Sequence, residues 1–413
     1  MSLDSLHYRT ARCLNVIPRG ENYEITHELN GRKFVLPRLA YQLLTHLKEP
    51  TTIEELLDRT STSFPSKEVQ TMLNRLRKGG VIVATGDDET YHRRLPNKTL
   101  MGIPAYHDSA PEDLQNRRLV LLGVPFGSGN KLDGACAKFP AKIRWFTQSY
   151  LSSLHARNHQ LDFRGFGADN SFFTSLREWL ASNRLTDGGD LVLQPNEYPS
   201  SVYAKVERLT EEINGKGNVP IMLGGDHSLT FPAIAGVARQ HEAIQIIQFD
   251  AHTDTYVNRV AELYAGSGKA PHHHGNFLSN ALKSTKIAKV WQFGIRGPFT
   301  MTPPKDARCK IVYAHEIPDF LQSNSVQQLD PDLPTYLTFD IDFFDPTVAP
   351  GTATPVIDGP GYRTGLDLLA TVLDRVNVVG ADLMEVNPDR DRDDQTIQVA
   401  VSTLLRLING IKM

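Results

Sequence analysis

Short apolar runs and helical periodicities alternate over the first 85 or so residues of the chain. Two strand-like runs are joined through Asn30-Gly31, a pair typical of a tight hairpin turn. Three patterns with apolar residues at helical spacing follow, and an apolar run comes after Gly79-Gly80. This order predicts a small α+β, winged-helix-like domain over residues 1–86. The predicted strands are 23–26, 33–36 and 81–83, and the predicted helices start near Pro37, Thr51 and Pro65.

The pattern changes twice further along the chain. Residues 87–116 are polar and are interrupted by Pro96, Pro104 and Pro111, which predicts a linker. From residue 117 to 413, apolar runs recur with helical stretches between them, which predicts a three-layer α/β/α domain with a mostly parallel sheet. Ligands of such sheets bind beyond the carboxyl ends of the strands. The predicted strands are 119–124, 191–193, 219–223, 244–249, 290–293, 311–312, 336–339 and 378–383.

Composition narrows the class of protein. The 413 residues carry 44 basic and 47 acidic side chains, a formal charge of −3, which gives no reason to expect nucleic-acid or membrane binding. The start of the chain has no signal-peptide pattern, and no run of about 18 apolar residues follows. Three widely spaced cysteines match no zinc motif, and reduced thiols are the simpler interpretation. We therefore expect a soluble, cytoplasmic protein.

Acidic and histidine side chains cluster where predicted strands end. Asp250, His252 and Asp254 follow one run, and Asp340 and Asp342 follow another. His227, in the sequence Gly-Gly-Asp-His-Ser, follows a third. Carboxylates and imidazoles without cysteine favour hard or borderline divalent ions, and two ions close together lower the pKa of a shared water. Each cluster alone is typical of a solvated turn, but their coincidence predicts a hydrolytic site with two metal ions.

The same motifs, in this order, resemble those of the ureohydrolases, the arginase and agmatinase family. The resemblance extends from about residue 119 to the C-terminus. It implies hydrolysis of a guanidino group to urea and an amine, and assembly into trimers or hexamers. The motifs that carry it are residues 224–228, 250–254, 339–345, 350–355 and 384–388, after a glycine-rich turn at 123–134.

The resemblance also implies roles for single residues. Asp254 would accept a hydrogen bond from the attacking water, Glu385 would pair with the substrate guanidinium, and His274 would shuttle a proton to the leaving amine. Two Mn²⁺ ions would be held, although iron, cobalt or nickel suit the same ligands. One ion would bind His227, Asp250, Asp254 and Asp340, and the other Asp250, His252, Asp340 and Asp342.

The rim of the site departs from the arginase pattern. Tyr256 stands where arginases present an asparagine, so we expect it to contact a different substrate. His272 and His273, next to His274, are interpreted as solvated loop residues. Agmatine, a guanidino acid, guanidine and peptidyl arginine all stay open as substrates.

The N-terminal segment resembles the PqqD-like peptide-recognition domains of ribosomal peptide modification systems. Such domains bind a leader peptide as an added strand, so the combination implies a peptide arginase that converts arginine in a precursor peptide to ornithine. The alternative is an agmatinase-like hydrolase of a small guanidino compound, with the N-terminal segment serving assembly or regulation. A DNA-binding winged helix is less favoured, because the third predicted helix is only modestly basic. A binding protein without activity has no need of the six ligand side chains.

Overall fold

The computed structural model describes residues 7–11, 14–27, 33–47, 51–60, 66–78, 81–84, 93–96, 99–106, 117–130, 133–150, 162, 164, 173–194, 197–256, 272–298 and 305–412. The chain divides into two compact units. The first comprises residues 1–92 and 193–205, and the second comprises residues 93–192 and 206–413. Within the described residues, no helix combines the length and the apolar character needed to cross a bilayer.

The described residues of the first unit up to residue 84 form two small antiparallel sheets and three helices. The predicted hairpin is confirmed, since Tyr23 lies opposite Leu36 in paired strands. The predicted helices are also confirmed, and the second begins with reciprocal hydrogen bonds between Thr52 and Glu55. Sequence patterns missed three strands, at residues 7–10, 14–19 and 51–52. The elements are β1 (His7–Thr10), β2 (Leu14–Arg19), β3 (Asn22–His27), β4 (Lys33–Pro37), α1 (Arg38–His46), β5 (Thr51–Thr52), α2 (Ile53–Thr60), α3 (Ser66–Lys78) and β6 (Ile82–Ala84).

The strand order in these sheets is β5-β1-β6 and β2-β3-β4. Side chains from both sheets and all three helices, such as Tyr8, Ile25, Leu43, Leu56 and Leu73, form one buried cluster. The unit therefore has a hydrophobic core of its own. Its winged-helix-like and PqqD-like character stays a prediction, as do the domain boundaries.

Further along the chain, strands and helices alternate as the apolar pattern predicts. The mostly parallel α/β fold is confirmed. The elements are β7 (Arg93–Arg94), β8 (Leu119–Gly123), α4 (Phe139–Tyr150), α5 (Thr174–Ala181), β9 (Leu185–Leu191), α6 (Pro199–Gly215), β10 (Val219–Leu223), α7 (Thr230–Ala238), β11 (Ile244–Phe249), α8 (Phe277–Ala281), β12 (Ile287–Ile295), β13 (Cys309–Tyr313), α9 (Ile317–Gln322), β14 (Pro334–Asp340), α10 (Tyr362–Arg375), β15 (Asn377–Met384) and α11 (Gln395–Gly410).

In the described part of the chain, nine strands form the central sheet in the order β13-β12-β11-β14-β15-β10-β8-β9-β7. All neighbours are parallel except β7, which pairs antiparallel with β9. The strands β8, β10 and β11 are buried along their whole length, as expected of a sheet covered on both faces. The carboxyl ends of β11, β14, β15 and β10, four neighbours at the centre, therefore meet at one edge.

One strand was misplaced by the sequence patterns. Residues 191–193 were predicted, whereas β9 is Leu185–Leu191, with the sequence Leu-Thr-Asp-Gly-Gly-Asp-Leu. Asp187 and Asp190 interrupt the apolar pattern by which a buried strand is predicted. Asp187 is fully buried there because the Arg144 guanidinium contacts both of its carboxylate oxygens, at 3.0 and 3.1 Å. A buried ion pair thus takes the place of the apolar residues that a pattern search requires.

Part of the segment predicted as a linker is packed in the second unit. Arg93 and Arg94 form β7 at the edge of the central sheet. Leu100 and Met101 are fully buried, and the Leu100 amide donates to Asp187 Oδ2 at 2.7 Å. Pro96 and Pro104 interrupt any helical or strand periodicity in this segment. Leu100 and Met101 are nevertheless buried, because they pack against residues that are distant in the sequence. The segment predicted as a linker thus contains a short strand at residues 93–94 and a 3₁₀ turn at residues 100–102, while its bounds stay a prediction.

Candidate active site

The predicted ligands follow three of the four central strands, β10, β11 and β14. His227 lies in a short turn after β10, where the Asp226 carboxylate accepts a hydrogen bond from the Ser228 amide. Asp250 directly follows β11, and Asp340 is the last residue of β14. Because parallel strands end at the same edge of the sheet, these side chains converge.

The imidazole of His227 lies at the centre of one group of carboxylates. Its Nδ1 atom is 3.3 Å from Asp250, 3.1 Å from Asp254 and 3.2 Å from Asp340. This nitrogen is buried and makes no hydrogen bond of acceptable geometry with the described residues. A buried polar atom without a partner is costly, and a bound cation removes that cost.

A hydrogen-bond chain orients the ring of His227. Asp382 is fully buried and accepts hydrogen bonds from Thr230, Tyr336 and Thr338. The Thr338 hydroxyl donates its one proton to Asp382. Its oxygen can therefore only accept from His227 Nε2, which is 2.7 Å away. The proton of neutral His227 therefore sits on Nε2, which leaves the Nδ1 lone pair facing the carboxylates.

A second group shares Asp250 with the first. His252 Nδ1 is 3.1 Å from Asp342 Oδ2 and 3.6 Å from Asp250 Oδ1. Burial alone would lower the pKa of His252, but these two carboxylates raise it to about 12. Burial, followed by repulsion from Asp342 and Asp250, raises the pKa of Asp340 well above its usual range. The site has an excess of negative charge that favours bound cations.

The described residues fit a pair of divalent ions. Their side chains offer two groups of close ligand atoms, one built on His227 and the other on His252. Asp250 belongs to both groups, as a bridging carboxylate does. Oxygen and imidazole ligands without a thiolate suit Mn²⁺ and its neighbours rather than a structural zinc site.

Glu385 lies next to the first group. It follows β15 with a φ of +59°, a conformation that is uncommon outside glycine, and its side chain is buried. One carboxylate oxygen accepts from the His227 amide at 3.0 Å, and the other accepts from Asn130 at 3.2 Å. Asp254 also has a positive φ, of +47°. Both carboxylates are therefore held in backbone conformations that their surroundings must enforce.

His274 connects Glu385 to the open side of the site. Its Nδ1 atom is 3.4 Å from Glu385 Oε1, and 23% of its side chain is exposed. Burial would lower the pKa of His274, but the hydrogen bond to Glu385 and its negative charge raise it above the ordinary value. The imidazole is thus placed to donate a proton into the site.

A cavity of about 490 Å³ opens over these side chains. His252, Asp254, Asp340 and His274 line its polar part. The side chain of Tyr256 is 53% exposed, and this residue lines the wall. The other lining residues are His273, Gly275, Ala353, Thr354, Pro355 and Val356.

Residues 117–409 match the sequence profile of the arginase family. The chain belongs to the arginase family. Arginase-family enzymes depend on two metal ions, which agrees with the two ligand groups described above. The chain is therefore a hydrolase that acts on guanidino C–N bonds.

Relatives of this arginase-family chain are known from bacteria. An agmatinase of Cronobacter sakazakii is 33% identical over 229 residues, which cover 54% of this chain and 70% of that protein. An agmatinase of Sodalis glossinidius is 30% identical over 294 residues, which cover 70% of this chain and 85% of that protein. Among solved structures, proclavaminate amidino hydrolase from Streptomyces clavuligerus aligns with a TM-score of 0.58 and 26% identity, covering 77% of this chain and 98% of that one.

The sequence motifs of this arginase-family chain identify the residues that converge, but they miss side chains that support them. Asn130 contacts Glu385 from the glycine-rich turn, and Thr338 and Asp382 orient His227, without any spacing that marks them in the sequence.

The interpretation of His272 was wrong. His272 is not a solvated loop residue, because its Nε2 donates to the Ser228 carbonyl at 2.6 Å and its Nδ1 accepts from Asn280 at 3.0 Å.

Proposed function

We propose that this arginase-family enzyme holds two Mn²⁺ ions and converts peptidyl arginine to ornithine in a ribosomally made precursor peptide. One ion would bind His227, Asp250, Asp254 and Asp340, and the other Asp250, His252, Asp340 and Asp342. When bound, such a pair of ions supplies a water-derived nucleophile near neutral pH. Water adds to the guanidino carbon, the bond from that carbon to the side-chain nitrogen breaks, and urea leaves.

The protein side chains bind the cation and move the proton. The buried Glu385 carboxylate provides the negative partner for the guanidinium, and Asp254 accepts a hydrogen bond from the attacking water. His274 gives a proton to the departing nitrogen, which therefore leaves as a neutral amine. Because His274 contacts Glu385, the proton donor lies next to the carboxylate that binds the guanidinium.

The described wall of the cavity carries the argument for a peptide substrate. Apart from the predicted ligands and the imidazoles of His273 and His274, the lining residues that the structure describes are uncharged. A free amino acid presents a carboxylate and an ammonium group, which require charged partners when they are buried. The backbone amides on either side of a peptidyl arginine make no such demand. Tyr256 provides an aromatic surface for the alkyl part of the arginine side chain.

The first unit supports the same substrate. Within the described residues, β4 pairs with β3 alone, and Val35 on β4 is 68% exposed. An unpaired strand edge binds an extended peptide through backbone hydrogen bonds, with side-chain contacts giving specificity. We propose that the leader peptide binds along this edge.

Urea release tests the proposal when free arginine, agmatine and arginine-containing peptides, with and without a leader, are compared under Mn²⁺. We expect peptide turnover to exceed turnover of both small molecules. Val35→Lys should slow turnover of the peptide that carries a leader and leave turnover of the peptide without a leader unchanged. Ile17→Lys, on the opposite edge strand β2, is the matched control and should slow neither. Turnover of agmatine without peptide turnover would instead favour an agmatinase-like function, which the names of the relatives suggest. The mass in solution would test the proposed trimer or hexamer.

A further inference from the structure

Two buried glutamines lie directly beneath the turn that carries the predicted ligands. Gln248 on β11 and Gln292 on β12 are opposite each other in the sheet, and both side chains are fully buried. Neither residue belongs to a motif that the sequence analysis identified. Amide side chains are uncommon in the centre of a parallel sheet, since every polar atom there needs a partner.

The two amides form a directed hydrogen-bond chain toward the ligands. Gln248 Nε2 donates to Asp250 Oδ2 at 2.7 Å and to the His252 carbonyl at 3.3 Å. Gln292 Nε2 donates to Gln248 Oε1 at 2.8 Å and to the Thr253 carbonyl at 2.9 Å. Because a carboxylate and a carbonyl only accept, the nitrogen of each amide must face the turn. The orientation of both side chains is therefore fixed.

We propose that Gln248 and Gln292 are positioning residues that hold the turn 250–254 in its metal-binding conformation before the ions arrive. Gln248 occupies one lone pair of the Asp250 carboxylate, which contributes to both ligand groups, and so limits its rotation. The hydrogen bonds to the carbonyls of His252 and Thr253 fix the backbone that carries His252 and Asp254. This inference rests on the metal-binding part of the proposed function and is independent of the substrate.

The pair carries a penalty that packing alone does not explain. Gln292 Oε1 is buried and makes no hydrogen bond with the described residues. A buried acceptor without a partner destabilises the fold, and two apolar side chains of similar size would avoid that cost. Gln245, whose amide faces away from the ligands, carries the same penalty at its own Oε1, so the donors toward the turn 250–254 distinguish Gln248 and Gln292 from it.

Mn²⁺ titration calorimetry on the metal-free full chain tests the inference. Gln248→Met keeps the length of the side chain but removes the donor to Asp250. We expect it to weaken Mn²⁺ binding by about 10–100-fold, the usual effect of removing a partner of a metal ligand. The matched control is Gln245→Met, on the same strand and equally buried, whose amide donates to Asp330 O and Thr335 Oγ1 away from the site. We expect Gln245→Met to lower the melting temperature and to keep wild-type Mn²⁺ affinity.

A second variant covers the case in which Gln248→Met does not fold. Gln292→Met should also weaken Mn²⁺ binding, and the double variant should lose less affinity than the two single losses combined, because Gln292 acts partly through Gln248. Wild-type affinity in Gln248→Met, or in Gln292→Met if only that variant folds, would overturn the inference. Equal losses in Gln248→Met and Gln245→Met would also overturn it, since they would indicate general destabilisation. A wild-type chain that binds no Mn²⁺ would instead contradict the proposed function.

Discussion

The chemistry of the site depends on single side chains whose charge is set by their neighbours. Glu385 raises the pKa of His274, and the hydroxyl of Thr338 sets the tautomer of neutral His227. In both cases a neighbouring side chain limits what the imidazole can donate or accept. Roles at this scale follow from hydrogen-bond direction as much as from distance.

His274 is the residue whose loss should act most directly on turnover. We expect His274→Gln to lower kcat by about 10²-fold or more, because the proton donor for the leaving amine is removed. Metal content should stay unchanged, since His274 lies outside both ligand groups. His273→Asn is the control, because it removes the neighbouring imidazole of the cavity wall and leaves His274 in place. Equal losses of kcat in the two variants would argue against the shuttle role.

His272 links the segment before α8 to the turn that carries His227. Burial lowers the pKa of His272 below its ordinary value, so the imidazole is neutral in the folded protein. As the pH falls below about 6.5, the unfolded chain takes up the proton first, and stability is lost until the folded pKa is reached. We expect His272→Phe to reduce the pH dependence of the free energy of unfolding between pH 7 and 5. Denaturant unfolding at several pH values measures it, and an unchanged pH dependence would refute the assignment.

At the scale of elements, the sequence predicts strands well where burial is achieved by apolar residues. The strands β10 and β11 were predicted with their observed bounds, since both are short apolar runs without charges. The prediction of β9 was wrong because Asp187 and Asp190 both form ion pairs with Arg144, which lies 43 residues before Asp187 in the chain. Similarly, Gln248 and Gln292 depend on pairing between two strands. Local patterns contain no information about such distant partners.

The turn after β10 depends on one glycine. A Cβ atom on Gly225 would lie 1.5 Å from the carbonyl oxygen of Phe126, so the backbone of one of the two segments must move. We expect Gly225→Ala to lower the free energy of unfolding by about 1–3 kcal/mol or more, as overpacking does. Gly361→Ala, where a Cβ meets nothing within 4 Å, is the control; because Gly361 is the N-cap of α10, it should cost no more than about 1 kcal/mol, less than Gly225→Ala. Similar unfolding free energies for the two variants would contradict this packing.

For the whole molecule, the motifs gave the fold of the second unit and the location of the site. They did not decide the substrate, because the rim is built from residues such as Tyr256 and Val356 that come together only in the folded chain. The β3–β4 hairpin was predicted because Asn30-Gly31 is a local signal, whereas β1 pairs with distant β5 and β6. Local chemistry was therefore easier to predict than specificity.

Removal of metal should affect the stability of the chain as well as its activity. Ions that bind the folded state alone stabilise it by about 2.7 kcal/mol when the free concentration is a hundred times Kd. We expect a chelator to lower the melting temperature and added Mn²⁺ to restore it. Asp342→Asn removes a predicted ligand of one ion and should show a smaller rise with Mn²⁺. A melting temperature that changes neither with the chelator nor with added Mn²⁺ would count against the proposed metal pair.

The left-handed backbone of Glu385 makes activity and stability compete at one position. A buried carboxylate on a residue with a φ of +59° costs free energy that glycine would not, and it is kept because the substrate is a cation. Glu385→Gly should therefore abolish urea release, and relief of the left-handed strain should offset only part of the stability that is lost with the hydrogen bonds from His227 and Asn130. Selection for heat resistance alone does not test whether the carboxylate can still bind its substrate, so libraries evolved for thermostability need an activity screen that protects position 385.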